Sequence, residues 1–183
     1  MAAKDQRRIK ELIERLGRIV AAEEWTGDLN PTQWTALSYL AQANRFSRAP
    51  SQVADYMSAT RGTVSQTLKA MARKGLVSDT SSEKDKRSIS YTVTSAGRSL
   101  LDRTTGLDGV IASLERERAS DLHHGLETLV RNTLRQRGLR PFGICKTCGH
   151  FEKKSGGGYC ALLGESLTPG ETDQICHEHV EAA

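Results

Sequence analysis

The chain has 183 residues with a formal net charge of +4, and 37% of its residues are apolar while 26% are charged. These proportions are those of a soluble globular protein, and the length suits one ordinary domain with an appendage and a core that needs no disulfides. Residues 1–22 carry charges throughout, and no run of about 18 apolar residues occurs. We therefore expect no signal peptide, no membrane span and a cytoplasmic location.

Positive charge is concentrated in the middle of the chain. Residues 45–98 contain ten Lys or Arg and four Asp or Glu, so the remainder of the chain is slightly negative. A concentrated basic segment is the electrostatic footprint of a nucleic-acid face. On charge alone, a solvated basic surface without a partner is an equal alternative.

Two helices are predicted before this basic segment. Apolar residues recur at helical spacing over residues 5–24, which predicts one amphipathic helix. The sequence Asn30-Pro31-Thr32-Gln33 predicts the start of a second helix, because Asn caps a helix, Pro suits its first position and Gln33 can complete a capping box. The buried stripe of the second helix is predicted to be Trp34, Leu37, Leu40 and Ala41.

The basic segment itself predicts two further helices and a hairpin. Pro50 opens a short third helix, and Thr60 caps a fourth that runs to Lys74 and stops at Gly75. A polar stretch then separates Leu76-Val77 from residues 88–93, which alternate at the period of a strand. The inward residues of the fourth helix are predicted to be Val64, Leu68 and Met71.

Two apolar patterns predict a fifth and a sixth helix in front of the C-terminal tail. The fifth is defined by Leu100, Leu101, Leu107, Ile111 and Leu114, and the sixth by Leu122, Leu126, Leu129 and Leu134. Gly138 ends the sixth helix and Pro141 prevents a restart. We therefore predict a mainly α-helical domain over residues 1–138, with a small β-hairpin, and an irregular extension over residues 139–183.

Helix, short turn, helix and charged hairpin form the layout of a winged helix-turn-helix. Its second helix, here the fourth of the chain, enters the major groove of DNA, and phosphate contacts fix its register. Basic side chains at the hairpin tip suit a narrow minor groove. The predicted DNA-binding residues are Arg61, Thr63, Ser65, Gln66, Lys69 and Arg73 on the helix, and Lys84, Lys86 and Arg87 on the wing.

Residues 30–97 resemble the MarR family of bacterial transcriptional regulators. The resemblance rests on SQVADYMSATRGTVSQTLKAMARKGLV and DKRSISYTVTSAGRSLL, and the second string contains an Asp-x-Arg wing followed by a Thr-x-x-Gly helix start. It implies that Arg87 enters the minor groove and that Asp85 holds it by an ion pair. The wing departs from the family by being short and rich in serine. A winged helix used for protein contact is the alternative.

The resemblance, with its flanking helices, covers about three-quarters of the chain and implies a homodimer built from the first, fifth and sixth helices. Such a dimer would read a near-palindromic operator in double-stranded DNA, with recognition helices about 34 Å apart. The alternative is that these apolar stripes form only an internal core. The family also implies a small-molecule effector between the dimer helices and the winged unit, although nothing in the sequence identifies one.

All four cysteines lie in the last 39 residues, at Cys145, Cys148, Cys160 and Cys176. In a reducing compartment, clustered thiols favour a metal centre over disulfides. We expect Gly149 to adopt a left-handed turn that directs N–H groups at sulfur. Phe142, Phe151 and Tyr159 are candidates to shield the centre, and His150, His177 and His179 are candidates to support or replace a ligand.

The spacing C-x2-C-x11-C-x15-C has one CxxC pair, whereas a zinc ribbon usually has two. It is similar to the pattern of high-potential iron–sulfur proteins, although the middle gap is short. We therefore expect an iron–sulfur cluster of the 4Fe–4S type, with a structural zinc ion as the alternative. Free or disulfide-linked thiols are a third reading.

The sequence thus predicts a DNA-binding transcriptional regulator, a repressor in our reading, that is tuned by the cluster in its tail. Two alternatives stay open: a regulator that responds to a small molecule and has a purely structural zinc tail, and an iron–sulfur electron-transfer protein. No H-E-x-x-H, Walker loop, GxSxG or zinc-deaminase signature occurs, so we do not expect an enzyme.

Overall fold

The computed structural model describes residues 3–23, 29–81, 89–102 and 106–182. Within these ranges the chain forms eight α-helices, seven short strands and one 3-10 turn. The helices are α1 (Ala3–Glu23), α2 (Pro31–Gln42), α3 (Pro50–Tyr56), α4 (Arg61–Arg73), α5 (Ser95–Leu101), α6 (Gly106–Ala112), α7 (Arg116–Gln136) and α8 (Pro169–Thr172).

The strands form three small antiparallel sheets. The strands are β1 (Val77–Ser81), β2 (Ile89–Val93), β3 (Gly143–Ile144), β4 (Phe151–Lys154), β5 (Gly157–Cys160), β6 (Glu165–Leu167) and β7 (Ile175–Cys176). β1 pairs with β2, β3 pairs with β7, and β4, β5 and β6 form a three-stranded sheet in that order. The first sheet belongs to the winged unit and the other two belong to the tail.

The predicted helix starts are confirmed by their capping contacts. The Asn30 side chain accepts from the Gln33 backbone N–H at 2.9 Å, and the Gln33 side chain accepts from the Asn30 N–H at 3.4 Å, which completes a capping box. Thr60 caps α4 by accepting from the Thr63 N–H at 3.2 Å. Gly75 follows α4 with φ of 71°, a left-handed conformation that favours glycine.

The main core lies between α2, α3, α4 and the hairpin. The predicted inward residues of α4, namely Val64, Leu68 and Met71, are fully buried. On α2 the prediction holds for Trp34, Leu37 and Leu40, while Ala41 is only half-buried against the same cluster. Burial of these side chains holds α4 at a fixed angle to α2 and α3, with its polar face outward.

The Thr-x-x-Gly motif joins the hairpin to α5. The Thr94 hydroxyl donates to the Gly75 carbonyl at 2.7 Å and accepts from the Gly97 N–H at 3.2 Å, so it ties the end of α4 to the start of α5. Gly97 is buried, and a Cβ there would lie 2.3 Å from the Leu76 carbonyl oxygen. Only glycine permits this approach, because the obstructing atom is backbone.

Two predicted features differ from the structure. The single fifth helix is described as two short helices, α5 and α6, and Leu114 lies beyond the end of α6; residues 103–105 lie outside the described part. The tail was expected to be irregular, yet it contains five of the seven strands, the 3-10 turn at Cys145–Thr147 and α8. Its strands are only two to four residues long, which is why period-two alternation did not reveal them.

The two long helices, α1 and α7, have exposed apolar faces in the single chain. None of the 21 residues of α1 is buried, and none of the 21 residues of α7 is buried. The exposed apolar side chains are Ile9, Leu12, Ile13, Leu16 and Ile19 on α1, and Leu122, Leu126, Leu129 and Val130 on α7. These faces make no internal core in the described chain, contrary to the alternative that they serve only to fill one.

Among the described helices, none is both long enough and apolar enough to cross a bilayer.

Replacing Gly97 by Ala should lower the free energy of unfolding by about 1–3 kcal/mol, because the new methyl group overlaps the Leu76 carbonyl. Gly62→Ala is the matched control, since the nearest heavy atom to a Cβ there is 4.0 Å away and alanine favours the helix. Urea unfolding of both variants compares the effects. Equal stability of Gly97→Ala and the parent would contradict the described packing.

Candidate functional site

The first candidate surface is the outward face of α4. Of the residues predicted there, Arg61, Thr63, Gln66, Lys69 and Arg73 are exposed and Ser65 is half-buried. Val64, Leu68 and Met71 on the opposite face are buried, so the core presents the polar side chains together on one side of the helix. The arrangement leaves a row of hydroxyl, amide and basic groups free to meet a ligand.

This face of α4 is electropositive. Residues 61–74 contain four Lys or Arg and no Asp or Glu. The Thr63 hydroxyl lies 2.8 Å from the Thr60 hydroxyl, and Thr60 also caps the helix, which fixes the start of α4. The predicted wing residues Lys84, Asp85, Lys86 and Arg87 lie outside the described residues.

The second candidate site is the set of four cysteines, which the fold brings together around one pocket. Cys145 begins the 3-10 turn after β3, Cys148 follows that turn, Cys160 ends β5 and Cys176 ends β7. All four line one small pocket that is partly open to solvent. Cys145 and Cys176 are buried, while Cys148 and Cys160 are partly accessible.

Hydrogen-bond donors surround the cysteine sulfurs. The Asn44 side-chain amide donates to the Cys145 sulfur at 3.1 Å, and the Val180 backbone N–H donates to the Cys148 sulfur at 3.5 Å. The pKa of Cys176 is lowered by hydrogen bonding, chiefly from the Cys145 thiol and then from the Asn44 side chain, the Glu178 backbone and the Ser47 side chain. Such donors stabilise negatively charged sulfur.

The two buried cysteines are polarised against each other. The hydrogen bond from the Cys145 thiol lowers the pKa of Cys176, although burial acts in the opposite direction. The same contact, together with burial, raises the pKa of Cys145. The contact therefore couples the protonation of the two cysteines, and thiolate is the form of cysteine that binds metals.

The four cysteines form a donor set whose chemistry fits a thiolate-bound metal group. Four thiols line one pocket, whose remaining lining includes the apolar side chains of Phe151, Leu162 and Leu167. In the described ranges, no three His, Cys, Asp or Glu side chains are arranged to hold a single metal ion. The residues that would hold a sulfur-ligated group are Cys145, Cys148, Cys160 and Cys176.

Only some of the predicted supporting residues lie at the pocket. His150 and Phe151 line it, as expected. His177 instead contacts Asp55 and Glu178 through its two ring nitrogens, at 3.1 and 3.0 Å. His179 lies 3.0 Å from the Thr147 hydroxyl.

Two aromatic residues expected to shield the centre lie elsewhere. Phe142 packs edge-on against Tyr39 and Tyr56, so it joins the tail to the winged unit. Tyr159 lies across from Glu152 in the three-stranded sheet and is not part of the pocket lining. Phe151 does line the pocket, because it lies directly opposite Cys160 where β4 pairs with β5.

The predicted role of Gly149 was wrong. Gly149 is absent from the described glycines with positive φ. A Cβ on Gly149 would lie 3.3 Å from the Glu181 carbonyl oxygen, and its N–H donates to the Val180 carbonyl at 2.7 Å. The residue therefore permits the C-terminal segment to approach, and that segment supplies the N–H that contacts the Cys148 sulfur.

The tail docks on the winged unit around the connection between α2 and α3. Arg45 in this connection pairs with Glu171, contacts Glu165 at 3.5 Å and donates to the Ser166 carbonyl at 2.8 Å. The Asn44 N–H donates to the Ile175 carbonyl at 2.9 Å. The tail also meets α7, where Arg131 and Arg135 pair with Glu181.

Sequence reasoning missed Asn44 and Ser47. Both are buried polar residues, with 1% and 0% of their surface exposed. The Asn44 amide donates to the Cys145 sulfur, and the Ser47 hydroxyl accepts from the N–H of His177, the residue after Cys176. A polar pair just after the end of α2 suggests a turn, and their partners lie more than a hundred positions later. No signal in the neighbouring sequence indicates these partners.

The described residues define a winged helix-turn-helix unit, extended by a cysteine-bearing tail. A model of the family described as the MarR family matches residues 27–88, which is less than half of the chain. A sequence comparison with curated proteins gives no match.

Solved structures of similar fold cover most of the winged unit. Streptococcus pneumoniae FabT in complex with DNA is 21% identical with a TM-score of 0.52, and covers 70% of this chain and 96% of its own. The S. aureus MepR–DNA complex is 18% identical with a TM-score of 0.53, covering 68% and 94%. A MarR transcriptional regulator from Methanosarcina mazei Go1 is 19% identical with a TM-score of 0.56, covering 70% and 98%. At these identities the likeness establishes the fold.

Proposed function

We propose that this protein is a DNA-binding transcriptional regulator that acts as a homodimer on a near-palindromic operator in the cytoplasm. The observation on which the proposal rests is the outward face of α4, which presents basic, hydroxyl and amide side chains and no acidic one. Side chains of these types bind phosphates and read base edges in the major groove. Two proteins of similar fold, FabT and MepR, have been solved in complexes with DNA.

The homodimer is supported by the exposed apolar faces of α1 and α7. Large apolar side chains that recur along two long helices form more exposed apolar surface than a stable monomer usually leaves in water. A second copy of the chain would cover both faces at once and would place two α4 helices on one side of the duplex.

We further propose that the four cysteines hold an iron–sulfur cluster of the 4Fe–4S type and that the cluster tunes DNA binding. The support is the convergence of four thiols on one pocket, the donors directed at their sulfurs and the apolar lining. Clusters of this type are held by four thiolates, and hydrogen bonds to sulfur are one of the protein's means of adjusting them. A structural zinc ion, with regulation by a small molecule, is the competing outcome of the test below.

Substitutions on α4 should separate base reading from phosphate binding. Gln66→Ala should weaken binding to the preferred sequence by about 1–3 kcal/mol and reduce discrimination between sequences, because an amide is a reader of bases. Lys69→Ala should weaken binding to all DNA sequences alike and reduce the slope of log affinity against log salt concentration by about 1. Fluorescence anisotropy with duplexes enriched from random-sequence DNA measures both effects.

The control for these variants is Lys153→Ala, which removes an equal charge from an exposed position of β4 in the tail. It should leave affinity and salt slope unchanged. If both α4 variants bind as the parent does, α4 is not the recognition helix. The wing role of Arg87 stays a prediction, with an expected loss of about 1–3 kcal/mol on replacement by Ala.

Placing two carboxylates on the apolar face of α1, as Leu12→Glu with Leu16→Glu, should convert the dimer to a monomer. Buried in the proposed interface, these charges would have no partner, and the cost of desolvating them would exceed the apolar gain. Sedimentation velocity decides the mass. Lys10→Gln, on the polar side of the same helix, is the control and should remain dimeric. A double variant that stays a dimer would move the interface elsewhere.

Replacing any one of the four cysteines by serine should sharply reduce bound iron and sulfide in protein purified without oxygen. The parent should be brown, with iron and sulfide in similar amounts and visible absorption that bleaches on oxidation. Leu163→Ser is the control, because Leu163 is exposed beside the pocket but does not line it. Colourless protein with one zinc ion per chain, even after anaerobic reconstitution, would replace the cluster by a structural zinc site.

A further inference from the structure

Phe142 lies where three parts of the chain meet: the winged unit, α7 and the tail. In sequence it stands between the end of α7 and the start of β3. Its side chain is half-buried and packs against the main core cluster, which belongs to the winged unit. A residue of the connection after α7 therefore inserts its ring into the part of the molecule that carries α4.

On the winged unit, the Phe142 ring meets two tyrosines edge-on. Its centroid lies 5.9 Å from that of Tyr39 on α2 and 5.1 Å from that of Tyr56 on α3, with interplanar angles of 89° and 87°. The two tyrosine rings lie 4.3 Å apart. Edge-to-face contacts are favoured by the ring quadrupoles and depend on direction as well as distance. The position of Phe142 is therefore defined relative to both α2 and α3.

The surface that Phe142 contacts is itself firmly held. Tyr39 is fully buried, and its hydroxyl donates to the Ser47 carbonyl at 2.6 Å. Val53 of α3 is buried in the same core cluster as Val64 of α4. Because such a core is closely packed, α2, α3 and α4 move as one body. The contact with Phe142 is thus a contact with the whole unit that presents α4.

On its other side, Phe142 faces α7. Together with Pro141 it lines one groove with Leu126, Val130 and Leu134, which are apolar residues of α7. Pro141 restricts the backbone just before the ring, because its own φ is fixed. No residue of α7 is buried in the described chain, so the core of the winged unit does not by itself hold α7. The connection at Pro141 and Phe142 supplies a contact between the two.

Ion pairs hold this connection against the tail. Arg140, two residues before Phe142, donates to the Glu178 carboxylate at 2.7 Å. Arg131 and Arg135 of α7 pair with Glu181 near the end of the chain. These pairs are partly exposed, so each contributes little alone. They nevertheless keep the end of α7 and the tail together around the Phe142 ring.

We propose that Phe142 is a positioning residue that sets the angle between each winged unit and α7, and thereby the half-site spacing that the homodimer accepts. The inference rests on the proposed function, in which α7 belongs to the dimer interface and α4 to the DNA surface. Two α4 helices can bind together only if they lie about 34 Å apart on one face of the duplex. A ring held between α7 and the tyrosines restricts rotation of the winged unit, so it restricts the spacing.

The test measures how affinity depends on the distance between the two half-sites of an operator enriched from random-sequence DNA. Two inserted base pairs rotate one half-site by about 70° around the duplex and move it by about 7 Å. A dimer with fixed winged units then loses simultaneous binding, whereas one whose units can turn retains part of it. For the parent we expect roughly 100-fold weaker binding to the lengthened operator in fluorescence anisotropy.

Phe142→Ala should reduce this loss to roughly tenfold or less, while affinity for a duplex with a single half-site stays within about twofold of the parent. Phe142→Tyr keeps the ring and should keep the parental loss. Phe142→Leu keeps apolar volume without the edge-on contacts, so it should fall between the two and serves if the alanine variant does not fold. Leu139→Ala is the matched control, because Leu139 is exposed in the same connection and its N–H bond to the Leu134 carbonyl persists.

The outcomes separate this inference from the proposed function. Phe142 is not part of the lining of the cysteine pocket, so its replacement removes no side chain from that pocket. The same dependence on spacing in the parent and in the Ala and Leu variants would overturn the positioning role. Equal weakening on the single half-site and on the operator would also overturn it, since Phe142 would then only stabilise the winged unit. A parent that is monomeric, or that prefers no sequence, would instead remove the proposed function.

Discussion

The segment that connects α2 to α3 makes a buried contact with the cysteine-bearing tail, and this contact constrains the rest of the chain. Burying an amide and a hydroxyl without partners costs about 1–3 kcal/mol each, so Asn44 and Ser47 need the sulfurs and the His177 N–H that the tail supplies. The predicted boundary after residue 138 divides the sequence by composition, but these contacts cross it. The winged unit and the tail are therefore energetically dependent on each other.

Local signals in the sequence were enough to predict the winged unit. The capping box at Asn30 and Gln33, the Thr60 cap and the Gly75 stop act within a few residues, so the sequence contains both partners of each contact. The inward residues of α4 follow from helical period alone. The Thr-x-x-Gly motif contributes only to the resemblance. The reason for its glycine is the close approach to the Leu76 carbonyl, which the motif by itself does not predict.

The tail was less predictable because its order comes from long-range contacts. Its strands are too short for a period to emerge, and Gly149 is needed for the approach of Glu181 rather than for a left-handed turn. The four cysteines could be identified from the sequence, because all of them are clustered in the last 39 residues. Their donors were not found, because nothing in the sequence near Asn44 indicates a partner 101 positions away. The predicted position of Phe142 at the centre is wrong because its partners are also distant in sequence. They are Tyr39 on α2 and Tyr56 on α3.

The free energy of the hydrogen bonds to sulfur bears on whether the tail can influence the winged unit or only stabilises it. A hydrogen bond to a charged group contributes about 1.5–3 kcal/mol and one between neutral groups about 0.5–1.5 kcal/mol, so a change in sulfur charge alters each contact by roughly 1 kcal/mol. Asn44, whose amide donates to the Cys145 sulfur, then supplies a difference of about 1 kcal/mol, at the lower end of the usual range of 1–3 kcal/mol for coupled sites. Surface pairs such as those of Arg45 add little to this difference, because they are partly exposed to water and do not depend on the sulfurs. A change in the charge of the Cys145 sulfur therefore acts on the winged unit mainly through the buried Asn44 side chain.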